Sequence, residues 1–254
     1  MVFAIDIGNT NIVIGCFEDK KIIFTERLST KKTATALEYA ISFKNVLELY
    51  NIDLKKIEGS IISSVVPEIT TIVNNAIAKI IGRDSIIVGP GVKTGLSIKV
   101  DNPAQLGSDL VVGAVAALAE YPVPMVVIDF GTATTITVIN NKKDLLGGMI
   151  LPGVRLSLKS LSSGTSQLPE IGLEPPKKFI GTNTVDCMKS GILFSTAYGM
   201  DGIIEGIENE LGEKVNVVAT GGLAKVIVPL CKRDITVDDE LLLKGLMEIY
   251  NKNK

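Results

Sequence analysis

The chain has 254 residues, 46% of them hydrophobic and 21% charged, with a formal net charge of −2. That balance describes a globular chain long enough to bury a core without staples, and its slight acidity argues against a general nucleic-acid binder. Histidine is absent, which excludes Ser-His-Asp and Cys-His machinery and histidine zinc sites, so an acid or base at neutral pH must be a carboxylate, Lys, Tyr or Cys.

The N-terminus reaches Asp6 after a short apolar run with no basic region, so no signal peptide is expected. Phe3-Ala4-Ile5-Asp6-Ile7-Gly8-Asn9-Thr10-Asn11-Ile12-Val13-Ile14 reads as a strand, a small polar turn and a second strand, closed by the charged turn Glu18-Asp19-Lys20-Lys21. Ala34 to Tyr50 is predicted as an amphipathic helix, Gly59 to Val66 as a strand, Glu68 to Ile81 as a helix and Ser85 to Val88 as a short strand. Gln105 to Ala119 reads as a helix. The apolar stretch Leu110 to Phe130 is interrupted by Glu120, Pro122, Pro124 and Asp129, which makes it a helix and a buried strand, not a membrane span.

The opening pattern then returns as Val126-Val127-Ile128-Asp129-Phe130-Gly131-Thr132-Ala133-Thr134-Thr135-Ile136-Thr137, followed by the turn Asn140-Asn141-Lys142-Lys143. Val154 to Leu161 and Val185 to Leu211 are predicted helices, with a Gly-, Pro- and Ser-bearing loop from Ser162 to Thr184 that is a candidate substrate loop. Val215 to Ala219 is a predicted strand, and Leu223 to Leu230 and Asp239 to Tyr250 are predicted helices. Alternating strands and helices after an opening hairpin indicate an α/β chain with mixed sheets. The repeat, displaced by about half the chain, divides it into an N-terminal lobe, 1–117, and a C-terminal lobe, 118–254.

Each copy carries an Asp at a strand end and a Gly that lets backbone approach a ligand, followed by small residues whose N–H and O–H groups donate. Two such turns suit a phosphate chain, with carboxylates placed to hold Mg²⁺ through water. A single Asp-x-Gly is also simply a tight turn; its repetition in equivalent contexts favours the ligand. Val217-Val218-Ala219-Thr220-Gly221-Gly222 adds a buried strand running into paired glycines, where a base or ribose could lie on bare backbone. Gly89-Pro90-Gly91-Val92-Lys93-Thr94 lacks Walker spacing, and no dinucleotide fingerprint follows the first strand.

In this order the three elements match the phosphate and adenosine motifs of the sugar kinase and actin superfamily. More narrowly, Asp6-Ile7-Gly8-Asn9-Thr10-Asn11 and Asp129-Phe130-Gly131-Thr132-Ala133-Thr134-Thr135 resemble the phosphate motifs of type III pantothenate kinases. Pro90 to Gly95, Asp101-Asn102-Pro103, Gly107-Ser108-Asp109 and Gly181 to Asp186 are also similar to that family. The resemblance implies a two-lobed actin-like ATPase fold of ribonuclease H-like type, with duplicated mixed sheets, flanking helices and a nucleotide cleft between lobes. It also implies transfer of phosphate from ATP to pantothenate, the first step toward coenzyme A, with Mg²⁺ and a monovalent cation, potassium or ammonium, in a cytoplasmic homodimer with no membrane or nucleic-acid partner.

By motif position the resemblance makes Asp109 the general base and Asp129 a monovalent-cation ligand. Asp6, Gly8, Asn9, Thr10, Asn11 and Val13, with Gly131 and Thr132, would hold ATP phosphates, and Gly221 and Gly222 the adenosine. Gly107, Ser108, Asp109, Leu110, Val100 and Thr184 would line the acceptor site. Local sequence alone favours Asp109 as a residue serving a helix N-terminus, and the family match reverses that preference.

Three positions depart from the family pattern. Leu110 stands where Arg is common, Val100 where an aromatic Tyr is frequent, and Gln105 where Glu is frequent. Losing Arg removes a planar cationic fork suited to a carboxylate, and Lys93 or Lys99 is a substitute by proximity. These departures leave two alternatives: a kinase of the same scaffold for another small alcohol, and a non-catalytic nucleotide-binding regulator. Retention of Asp6, Asp109 and Asp129 argues against the regulator. Cys16, Cys187 and Cys231 are scattered and odd in number, which suits free thiols in a reducing compartment. The mean hydropathy of +0.36 fits a chain that buries surface in an oligomer.

Overall fold

The computed structural model describes residues 1–254. In chain order the elements are β1 (Val2–Ile7), β2 (Asn11–Glu18), β3 (Lys21–Ser29), α1 (Ala36–Leu49), β4 (Gly59–Ser64), α2 (Pro67–Ile81), β5 (Ile86–Ile87), β6 (Ser97–Ile98) and α3 (Ser108–Glu120). They continue through β7 (Met125–Phe130), β8 (Ala133–Ile139), β9 (Asp144–Pro152), α4 (Val154–Ser163), α5 (Thr184–Leu211), β10 (Asn216–Thr220), α6 (Ala224–Ile227), β11 (Thr236–Val237) and α7 (Leu241–Asn253). The chain divides into two units, one of Met1–Leu96, Asn102–Ala119 and Glu240–Lys254, the other of Ser97–Asp101 and Glu120–Asp239.

The first unit holds a sheet ordered β3-β2-β1-β4-β5, and the second a sheet ordered β11-β10-β7-β8-β9-β6. In each, the opening strand pairs antiparallel with the next strand and parallel with the strand that follows the first crossover. The duplicated sequence pattern is therefore a duplicated topology: β1, β2, β3, β4 and β5 have their counterparts in β7, β8, β9, β10 and β11. β6 is an addition that pairs with β9. The two-residue strands β6 and β11 are not among the predicted elements, whereas β5, equally short, lies within the predicted Ser85 to Val88.

β1 is apolar at every position but one because it is covered on both faces. Phe3, Ile5 and Ile7 share a core with Phe43 and Leu47 of α1 and Ile69 and Val73 of α2. Val2 and Ala4, which alternate with them, share a core with Ile61 of β4, Val112 and Val115 of α3, and Leu243, Leu246 and Ile249 of α7. Burying each large side chain of this kind is worth about 1.5–3 kcal/mol. In the second unit Val126, Ile128 and Phe130 pack with Leu193, Ala197, Met200 and Ile204 of α5.

Helix boundaries follow local chemistry. α1 starts two residues after the predicted Ala34, because Thr35 caps it in a reciprocal capping box with Glu38. α3 starts at Ser108 and not at Gln105, since Pro103–Gln105 form a separate 3-10 turn. The helix predicted over Leu223 to Leu230 ends at Ile227 and tightens to a 3-10 turn through Pro229. Asn183 caps α5 by accepting from the Asp186 amide.

The expected single boundary after residue 117 does not describe the contacts of the last helix. α7 docks in the first unit, where the apolar stripe of Leu243, Leu246 and Ile249 meets β1 and β4. Glycines accept it: a Cβ at Gly59 would lie 2.1 Å from the Tyr250 hydroxyl, one at Gly15 2.7 Å from Leu243, and one at Gly245 2.1 Å from the Val112 carbonyl.

The second unit contains a buried charge whose pH dependence is testable. Glu208 of α5, 7% exposed, accepts from Lys214 Nζ at 2.7 Å and is 2.9 Å from an Arg233 guanidinium nitrogen. The Lys214 hydrogen bond, with smaller help from the Val215 amide and Arg233, holds its carboxyl below the usual range. A depressed folded value stabilises the fold above the unfolded value near about 4.3, and that contribution is lost as pH falls through the folded value. Thermal unfolding of Glu208→Gln should therefore occur at lower temperature than wild type at pH 7, with the gap closing below about pH 4. An equal gap at both pH values would rule out an electrostatic origin.

Candidate active site

In the first unit, Asp6 is the one polar residue of β1 and is 8% exposed. It lies at the strand end, in register with Val13 of β2 and Ser63 of β4. The turn that follows is tight: the Gly8 amide donates to the Asn11 carbonyl at 2.9 Å, and a Cβ at Gly8 would lie 3.1 Å from that oxygen. Thr30, at the end of β3, pins the turn by donating its hydroxyl to the Gly8 carbonyl at 2.7 Å and its amide to the Thr10 carbonyl at 3.0 Å. Asn9 and Thr10 are exposed.

Strand alternation puts Asp6 and Ser63 on the sheet face that α3 and α7 cover, in the rows begun by Val2, Ala4 and Ile61. The first turn of α3 reaches the same strand end, where the Ser108 and Ser63 hydroxyls are 3.1 Å apart. Asp109, the next residue, is half-buried, and its Oδ1 accepts from the Leu110 amide at 2.9 Å. Burial pushes its carboxyl up, opposed in part by bonds from the Leu110 amide and its own. Gly107 gives this carboxylate its room, since a Cβ there would lie 2.4 Å from Asp109 Oδ1. Asp6, Gly107, Ser108 and Asp109 thus gather at one end of one face. The α3 start also accounts for the capping signal read at Asp109, which lies in the first helical turn.

In the second unit, Asp129 is the penultimate residue of β7, in register with Thr135 of β8 and Thr220 of β10. Gly131 and Thr132 form the turn into β8. Gly221 has φ +92, and a Cβ on it would lie 2.3 Å from Asp129 Oδ1 and 2.7 Å from the Phe130 nitrogen. The second phosphate motif and the paired-glycine motif are therefore contiguous, with Gly221 against the Asp129 carboxylate. Gly153, which sequence reasoning did not single out, backs the same turn: its Cβ would lie 2.2 Å from the Thr132 carbonyl oxygen. Its only signal is its place directly after β9, before α4. Val100 and Thr184 also belong to this unit, Val100 two residues after β6 and Thr184 as the first residue of α5.

Lys99 donates its amide to Leu145 at 2.8 Å, and its charge helps lower the Asp144 carboxyl, whose main support is a hydrogen bond from Ser97. Lys93 is exposed and bonded through its backbone to Asn253 of α7. No group of three or more acidic, Cys or His side chains is arranged to hold a metal.

A family model described as type III pantothenate kinase matches residues 2–206. The chain is 41% identical over 253 residues to a type III pantothenate kinase of Halalkalibacterium halodurans and 40% identical over 253 residues to one of Moorella thermoacetica, with full coverage of both chains in each case. Among solved structures, the ethanolamine utilization protein EutJ of Carboxydothermus hydrogenoformans aligns with TM-score 0.55 at 16% identity, over 98% of this chain and 89% of that one. The ROK hexokinase of Thermus thermophilus aligns with TM-score 0.51 at 12% identity, over 100% and 99%. Likeness at that identity speaks for the two-lobed actin-like fold alone, whereas the sequence matches span the phosphate and acceptor motifs together: the chain belongs to the type III pantothenate kinase family, whose members phosphorylate pantothenate for coenzyme A synthesis.

Proposed function

We propose that Asp109 is the general base of this pantothenate kinase and that both Asp-x-Gly turns bind ATP. The observation that carries the proposal is the half-buried Asp109 carboxyl, raised in pKa and fixed in the first turn of α3 at the same strand end as Asp6. The acceptor hydroxyl oxygen bonds to the γ-phosphorus, the bond from that phosphorus to the β–γ bridging oxygen breaks, and the hydroxyl proton passes to Asp109. Phosphoryl transfer of this kind has a loose transition state and needs alignment and charge neutralisation more than covalent chemistry. A raised carboxyl pKa improves proton acceptance late in the transfer.

The turn residues Gly8, Asn9, Thr10 and Asn11, with Val13 behind them, and Gly131 with Thr132 would supply donors to the phosphates. Gly221 and Gly222 would receive the adenosine. Asp6 would hold Mg²⁺ through water and Asp129 a potassium or ammonium ion. Carboxylate oxygens suit these hard cations. Bound there, the cations would neutralise charge on the phosphates. Gly107, Ser108 and Leu110, with Val100 and Thr184, would line the pantothenate site. The Ser108 hydroxyl is already bonded within the protein, which favours a contact through its backbone.

A homodimer is supported by the exposed apolar side chains Phe179 and Ile180, 56% and 77% exposed, beside Phe194 and Tyr198. The absence of a helix long and apolar enough to cross a membrane, and free cysteines, agree with a cytoplasmic place. The reading is tested by ADP release from ATP, Mg²⁺ and potassium with and without pantothenate. Pantothenate-dependent turnover that requires potassium is expected; turnover indifferent to potassium would remove the cation role of Asp129.

A further inference from the structure

We propose that Ser63 is a positioning residue for Asp109, holding the first turn of α3 to the end of β4 through Ser108. The proposal rests on the reading of Asp109 as the base. Ser63 is fully buried and is the register partner of Asp6. Its hydroxyl is 3.1 Å from that of Ser108.

The direction of this bond follows from proton counting. The Ser108 hydroxyl has one proton, directed at the Ser64 carbonyl at 2.9 Å, and it accepts the Ser64 amide at 3.1 Å. Ser63 must then be the donor in its bond to Ser108. With one bond given and two accepted, the Ser108 oxygen is saturated. Ser64 is itself braced from the other sheet face, where its hydroxyl lies 2.7 Å from Thr70 of α2 and accepts the Val66 amide at 3.1 Å. The start of α3 is thus tied by three hydrogen bonds to a strand end fixed on both sides.

Ser63 contributes the bond that ties Ser108 to the row containing Asp6. Its removal would free the helix start to shift at the residue before the base, and a displacement of about 1 Å at a reacting group can cost roughly 100-fold in rate. A merely structural role would instead lower stability and leave kcat alone.

β4 contains a matched control. Ser60 is 1% exposed and donates to Ser85 at 2.8 Å, away from the Asp6 end of the strand. In steady-state assays with pantothenate and ATP, Ser63→Ala is expected to lower kcat about tenfold with both KM values within about twofold. Ser60→Ala should keep wild-type kcat while losing comparable thermal stability. Ser63→Thr and Ser63→Val, similar in shape, isolate the hydroxyl if alanine compromises folding; Thr should retain kcat and Val should not.

Wild-type kcat in Ser63→Ala, an equal kcat loss in Ser60→Ala, or equal kcat in the Thr and Val variants would overturn the proposal. Asp109→Asn, measured in parallel, separates the two layers. Retained turnover there would remove the base reading and the positioning role with it. Lost turnover there alongside a silent Ser63→Ala would remove the positioning role alone.

Discussion

Asp109→Asn is expected to lower kcat by about 10²–10⁴-fold without lowering the thermal unfolding midpoint at pH 7. The amide has nearly the shape of the carboxyl, and its oxygen can still accept from the Leu110 amide, which now bonds Oδ1 at 2.9 Å. It cannot take the acceptor's proton. Burial raises the Asp109 pKa in the folded state. A carboxyl raised on folding contributes stability that is present below its unfolded value, near about 3.9, and lost as pH rises through the folded value. Above the unfolded value, desolvation of the charged form therefore costs stability, and the neutral amide removes that cost. Unfolding midpoints of the two proteins at pH 7 and in acid, set beside turnover, test both halves. A variant that turns over normally would refute the base; one that unfolds early at pH 7 would refute the assignment of the raised pKa to desolvation.

Gly221→Ala should have the second large effect, on stability and ATP binding together. At φ +92 any L side chain is strained, by about 1–3 kcal/mol. The added Cβ would also meet Asp129 Oδ1 at 2.3 Å and the Phe130 backbone at 2.7 Å. Backbone of a buried strand yields little, so the carboxylate would be displaced from the second phosphate motif. Gly212→Ala separates the two causes. Gly212 closes α5 at φ +73 with nothing within 4 Å of its Cβ position, so it carries the strain without the clash. Gly212→Ala is expected to lower the unfolding midpoint modestly with KM for ATP, and the potassium activation proposed through Asp129, unchanged. Gly221→Ala should lower it further, raise KM for ATP and blunt the potassium response. Equal behaviour of the two variants would show that Gly221 serves only its backbone conformation.

Much of the candidate site was legible because the residues proposed to build it are contiguous. Asp6 to Asn11 and Asp129 to Thr135 are each a strand end and the turn after it, so composition and order suffice to recognise them. Gly221 was legible for a similar reason: a buried strand followed by paired glycines leaves few conformations open. Its contact with Asp129 was not legible, because the parallel pairing of β10 with β7 joins residues far apart in the chain. Ser63 was invisible for the same reason, and because serine at a strand end has many uses. Gly153 and Thr30 buttress the two turns from neighbouring elements and leave no local pattern that separates them from ordinary loop residues.

The sequence by itself determined the duplicated opening motif, the mixed α/β class, the kinase family and the candidate carboxylates, since strand periodicity, turn chemistry and contiguous motifs are local properties. Only the tertiary structure decided that α7 returns to the first unit, that Gly107 leaves room for the Asp109 carboxylate while burial raises its pKa, and that serine hydroxyls tie α3 to the strand beside Asp6. Those outcomes depend on which apolar faces pack together and which hydroxyls they leave within hydrogen-bonding reach, and such pairings join residues that the chain keeps far apart.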